Sequence, residues 1–190
     1  MKTTFATALL AGFLAFGAAW AQPAAESPGH QYFGDTKLVN QDGQEMRLYT
    51  DLMQGRTVIV SVMFTACTGA CPVMTATIEK IQAHLAGRVG KDVNLVSISV
   101  DPVHDTPAKL KEYAARFHAG PGWYFLTGSK ENVETALRKF GQWVDQPTDH
   151  QTLFLIGNER TGLWKKAFAL SSTEQLFPIV DSVVDDKGQG

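Results

Sequence analysis

The sequence predicts a three-layer α/β sandwich, and three observations predict it. Two β-branched runs, TVIVSVM from Thr57 and VNLVSIS from Val93, are apolar on both faces, like strands of a parallel sheet covered on each side. Each run is followed by helix-start residues and an apolar stripe at helical spacing. Near the end, TLFLIGN and GLWKKAFAL are strand-like runs joined by ERTG, which reads as an antiparallel hairpin.

The elements follow in order. Residues 1–21 have a Lys2 start, an apolar run and the small pair Ala19 and Ala21 around Trp20. That is the grammar of a secretory signal peptide cleaved after Ala21. The run is short for a membrane span, which needs about 20 residues; the alternative is an uncleaved anchor, the one case that would tie the protein to a membrane. No Arg precedes Arg47, which argues against a mitochondrial presequence. The expected location is the periplasm, where thiols tend to oxidise. Residues 22–31, rich in Pro, Ala and Gly, read as a flexible linker, and 32–190 as one domain.

Within the domain, Gln41-Asp42-Gly43 between two half-apolar runs predicts an N-terminal β-hairpin. After the first buried strand, Gly69 and Pro72 turn the chain into a helix near 72–86, with Val73, Ile78, Ile81 and Leu85 as its apolar stripe. After the second strand, Thr106 and Pro107 start a helix whose inner stripe is Leu110, Tyr113, Ala114 and Phe117. WYFLTG is a short strand, its aromatic residues expected in the core, and Ser129 and Gly141 bound another helix. STEQLFPIVDSVV is a last helix, disturbed by Pro178, with a frayed acidic tail after it. The order β-α-β-α-β-α-β-β-α describes a thioredoxin-like three-layer α/β/α sandwich with a C-terminal antiparallel hairpin plus helix.

Of the 190 residues, 44 % are hydrophobic and 19 % charged, a balance that supports a packed core. With 17 basic against 19 acidic residues and no basic patch, nucleic acid is not an expected partner.

Chemistry concentrates in FTACTGACPVMT, which holds both cysteines of the chain, Cys67 and Cys71. They read as a disulfide staple, a redox pair or part of a metal site. Inside a helix, residues four apart hold their Cβ atoms about 5–6 Å from one another, slightly too far for a disulfide. With Cys67 in the preceding loop, the backbone can tighten to close the bond or open to clasp a metal. A staple over so short a loop removes little unfolded-state entropy. A helix N-terminus next to both thiols would lower their pKa values.

Two thiolates suit soft Cu(I), and a nitrogen completes a trigonal site that also holds Cu(II). Five histidines are available. His84 reads as a surface residue, His118 as a helix-end cation, and His30 as part of the linker. His104, in a loop after a strand, is a candidate. His150, in QPTDHQT, is the preferred nitrogen, because the loop entering its strand faces the cysteine loop in a thioredoxin-like layout. On spacing alone a loop histidine bonded to backbone is the better reading.

FTACTGACPVMT, SISVDPVHDTPAKLKEYAARF and DHQTLFLIGNERTGLWKKAF together resemble the Sco/SenC family, which assembles the copper centre of cytochrome c oxidase. The resemblance runs over about residues 57–184. The motif Cys-x-x-x-Cys-Pro is met by Cys67, Cys71 and Pro72. Asp-Pro-x-x-Asp-Thr-Pro is met by Asp101, Pro102, Asp105, Thr106 and Pro107, and the Asp-His pair by Asp149 and His150. The resemblance implies a thioredoxin fold in which Cys67, Cys71 and His150 bind one copper ion, Cu(I) or Cu(II), with Asp149 and Asp101 as supporting residues. It also implies a periplasmic protein delivering copper or electrons to the dinuclear copper site of cytochrome c oxidase subunit II or a similar enzyme, with an upstream thiol reductase. The sequence departs from the family at Thr68 and Gly69, where Pro and an acidic residue are common, and at Gly157, where the common run ends in Asp. The alternatives are a thiol-disulfide oxidoreductase or thiol peroxidase using Cys67 and Cys71, and a structural domain with an inert staple.

Overall fold

The computed structural model describes residues 26–188. The proposed signal segment lies outside them. Pro28–Phe33 forms a first helix, α1, capped by the Ser27 side chain, so the last residues read as linker are helical instead. Pro28 sits where a missing N–H costs nothing, and that offsets the helix-breaking composition.

The hairpin β1 (Lys37–Asn40) and β2 (Glu45–Arg47) turns where expected. The Asn40 carboxamide oxygen accepts from the Asp42 and Gln44 amides at 2.9 Å, and Gly43 takes the left-handed conformation that the turn needs. β3 (Thr57–Met63) and β4 (Val93–Ser99) are buried at every residue, as strands with both faces covered must be. They are followed by α2 (Ala70–His84) and α3 (Pro107–Ala115). β5 (Trp123–Thr127), α4 (Lys130–Lys139), β6 (Leu153–Asn158), β7 (Leu163–Phe168) and α5 (Thr173–Val184) complete the chain.

One seven-stranded sheet has the order β2-β1-β5-β4-β3-β6-β7. β5, β4 and β3 run parallel, while β6 lies antiparallel to β3. Helices α2, α3 and α5 pack on one face over Ile59, Leu95, Phe125 and Phe154. α4 and the 48–53 segment pack on the other over Val58, Val60 and Val96. The expected thioredoxin-like sandwich is therefore the fold.

Some sequence expectations shift. Val73, placed in the inner stripe of α2, is exposed, because the stripe that faces the sheet is Cys71, Met74, Ile78 and Ile81. Trp123 and Phe125 are core as expected, while Tyr124 between them is only half-buried. The tail is tied down further than expected: Val183 and Val184 are buried, Asn158 donates to the Val183 and Asp186 carbonyls, and Arg88 pairs with Asp185. Gly157 has a packing reason: it faces Trp164 across the hairpin, and a Cβ there would stand 2.5 Å from the indole.

Candidate metal centre

β3, an interior strand between β4 and β6, is the strand on which the site is built. Its chain leaves the sheet at Met63, passes through a loop, and enters α2 at Ala70. Cys67 lies in that loop, half-buried, with its amide donating to the Phe64 carbonyl at 3.2 Å. Cys71, in the first turn of α2, is 0 % exposed and belongs to the core with Met74 and Ile78. The Thr75 hydroxyl donates to the Cys71 carbonyl at 2.8 Å and lies 3.0 Å from the Tyr113 hydroxyl. With the Thr75 proton spent on that carbonyl, Tyr113 is the donor of the second bond. Burial pushes the Tyr113 phenol up to about 12, which keeps it a neutral donor.

His150 arrives from a distant part of the chain. A 3₁₀ turn, Pro147–Asp149, hands over to extended backbone at His150, which leads into β6. Because β6 is the antiparallel neighbour of β3, its entrance lies beside the exit of β3. His150 Nε2 is 3.2 Å from Cys71 Sγ. Its Nδ1 stands 3.3 Å from the Gln151 carbonyl, a bond that requires the proton on Nδ1 and leaves the Nε2 lone pair facing the sulfurs. The Phe64 ring meets the imidazole edge-on at 5.9 Å. Both cysteines are free thiols, and the ligand atoms of Cys67, Cys71 and His150 all lie within 4.8 Å of one another. Ligands bonded to one ion at about 2.0–2.3 Å stand roughly 3.5–4 Å apart, so small side-chain rotations bring the three onto one ion. A cleft of about 380 Å³ lined by Phe64, Cys67, Gly69, Thr148, His150 and Thr152 gives access from solvent. A larger groove of about 800 Å³ lies elsewhere, over Phe33, Phe140 and Trp164, and contains no thiol or imidazole.

The lowered thiol pKa expected from the helix start does not hold for Cys71. Burial, reinforced by the neighbouring Cys67 thiol, pushes it up to about 12, since desolvation of the thiolate outweighs the helix field. A sulfur that keeps its proton below that value must lose it to bind a metal. Affinity therefore rises with pH, by up to about tenfold per unit for each proton expelled. Competition titrations of the reduced protein in mildly acidic and mildly alkaline buffer should show that rise, with proton release on loading.

The other expected residues go elsewhere. His104 pairs with Asp101 at 2.8 Å on the surface, and Asp101 makes no hydrogen bond to the three clustered side chains among the described residues. The Asp149 carboxylate accepts from Thr148, not from His150. His84 stacks on Phe177 and pairs with Asp181. His118 pairs with Glu79, and His30 lies between Glu26 and Asp35. The residue missed is Asp105, whose carboxylate holds Thr65 in the cysteine loop. Its place before the cap Thr106 reads as part of a helix start, and no pattern in the surrounding sequence marks a carboxylate that bonds to the cysteine loop.

The model of the SCO1/SenC family matches residues 24–183. A SCO1 protein homolog of Bacillus subtilis is 35 % identical over 125 residues, which is 62 % of this chain and 63 % of the relative, so the chain spans less than two thirds of that protein. Two solved structures share the fold. BsSco, a member of the Sco family of cytochrome c oxidase assembly proteins, superposes with TM-score 0.64 at 32 % identity, covering 80 % of this chain and 92 % of its own. Arabidopsis thaliana ScoI with copper bound gives TM-score 0.65 at 26 % identity, covering 81 % and 96 %. With the cysteine motif, the distal histidine and the sheet all in place, the chain belongs to the SCO1/SenC family.

Proposed function

We propose that this protein is a periplasmic copper metallochaperone. Its reduced Cys67, Cys71 and His150 hold one copper ion, Cu(I) or Cu(II), as cargo and pass it to the dinuclear copper site of cytochrome c oxidase, through subunit II, or to a similar copper enzyme. The observation that carries the reading is the meeting of two sulfurs and one imidazole nitrogen within 4.8 Å, from residues 79 positions apart in the chain. That donor set is soft enough for Cu(I) and, with nitrogen, compatible with Cu(II). Two facts support it: a fold relative binds copper, and another belongs to a family of oxidase assembly proteins.

The transfer is a ligand exchange. A partner's thiolates attack the bound ion at the open side of the cleft and take it in steps, so bare copper never enters solvent. Exchange with the disulfide of an oxidising partner would form the Cys67–Cys71 disulfide while the partner's disulfide is reduced to two thiols, and with both thiolates lost the ion would leave. An upstream thiol reductase must return the pair to the binding form. None of the helices among the described residues is long and apolar enough to cross a membrane.

The test is copper loading of the thiol-reduced protein, followed by metal analysis and absorption spectra. One equivalent of copper and a thiolate-to-Cu(II) charge-transfer band are expected, and Cys67→Ser and Cys71→Ser should each abolish the band. A band that survives either substitution would remove that sulfur from the site.

A further inference from the structure

We propose that Asp105 is a positioning residue for the metal-binding loop: its buried carboxylate clamps Thr65 and thereby fixes the turn that presents the Cys67 sulfur. The proposal rests on the copper reading of the site. Of the three clustered side chains, Cys71 is fixed by α2 and His150 by the entrance to β6. Cys67 alone stands on a loop, in which Ala66, Thr68 and Gly69 are exposed. Something else must set its place.

Asp105 does so from the connection between β4 and α3. Its side chain is 1 % exposed, and among the described residues no Lys, Arg or His pairs with it. Burying an unpaired carboxylate costs several kcal/mol unless donors surround it. Here the donors are the Ser99 hydroxyl at 2.6 Å, the Thr65 hydroxyl at 2.5 Å, and the Thr65 amide at 3.1 and 3.2 Å to the two oxygens. Two of these three groups belong to one loop residue. Helix capping does not account for the carboxylate, because Thr106 already serves α3 through the Lys109 amide. The clamp holds Thr65 two positions before Cys67, and the bond from the Cys67 amide to Phe64 closes the turn over it. A loop tied in this way keeps the sulfur near its two partners before any ion arrives, which is what outer contacts of a metal site do.

Thr65→Val keeps the shape and removes the hydroxyl, Thr65→Ser keeps the hydroxyl, and Asp105→Asn removes the charge. Two readouts separate positioning from stability: copper affinity of the reduced protein against a competing chelator, and the rate of Cys67 alkylation in the copper-free protein, assigned by peptide mapping. Affinity should fall about 10–100-fold in Asp105→Asn and about tenfold in Thr65→Val, with Thr65→Ser restoring it. Cys67 alkylation should speed up several-fold in the first two and not in the third. Should Asp105→Asn fail to fold, the two Thr65 variants decide. A folded Thr65→Val protein with parental affinity and parental Cys67 reactivity would overturn the proposal. If the parent binds no copper at all, the copper reading fails by itself, and the alkylation rates still decide whether the clamp positions Cys67.

Discussion

Replacing His150 with alanine is expected to weaken copper binding by the reduced protein more than about 100-fold, beyond the loss seen when only an outer contact of a metal site is removed. The imidazole supplies the only nitrogen of the three-ligand cluster, and its Nε2 already faces Cys71 Sγ at 3.2 Å. Two sulfurs alone would leave an ion short of a ligand and open to solvent or to a competing chelator. The fold should barely notice. His150 is half-exposed and bonds only to a neighbouring carbonyl and to Cys71, so the stability change should stay within about 0.5 kcal/mol. Chelator competition and thermal unfolding on the same samples give both numbers. Parental affinity in the His150→Ala protein would dismantle the three-ligand site.

Phe154→Ala should produce the largest stability loss of the set. Phe154 is fully buried in β6, in the same core cluster as Cys71 and Met74, and pairs with Ala167 across the hairpin. Truncating a buried Phe costs about 3–5 kcal/mol, from lost transfer energy and the cavity left behind. For a domain of this size that lowers the melting temperature by roughly 10 °C. The effect should reach the site as well, since β6 carries the segment that begins at His150 four residues earlier. Thermal unfolding with and without copper measures it, and copper should recover part of the loss by binding only the folded state. A change below about 1 kcal/mol would mean that β6 is not packed as described.

Much of this was legible in the sequence, because the signals were periodic or local. The unbroken β-branched runs at 57–63 and 93–99 gave buried central strands, and Thr106-Pro107 and Ser129 gave real helix starts. The Cys67, Cys71 and His150 cluster was reachable by combining a motif with a sheet layout. What escaped depended on side chains meeting across the fold. Nothing local distinguishes Asp101 from Asp105, yet one pairs with the exposed His104 and the other bonds to Thr65 in the cysteine loop. The thiol chemistry of Cys71 also misled, since a position near a helix start says nothing about how completely the core closes over the sulfur. Val73 was misassigned because a stripe at helical spacing fixes a period but not which edge of it touches the sheet.

The two sulfurs differ in their surroundings: Cys71 is sealed into the core, whereas Cys67 borders the open cleft with His150. Departure from such a pocket is one-sided. On the proposed copper reading, an incoming ligand would meet the ion over Cys67 and His150, so those bonds would yield before the bond to Cys71. A Cys71 sulfur released in this way would take back a proton, because burial pushes its thiol up to about 12. Proton competition for that sulfur would weaken its hold on the ion and so favour a recipient whose thiols ionise more readily, without any moving domain.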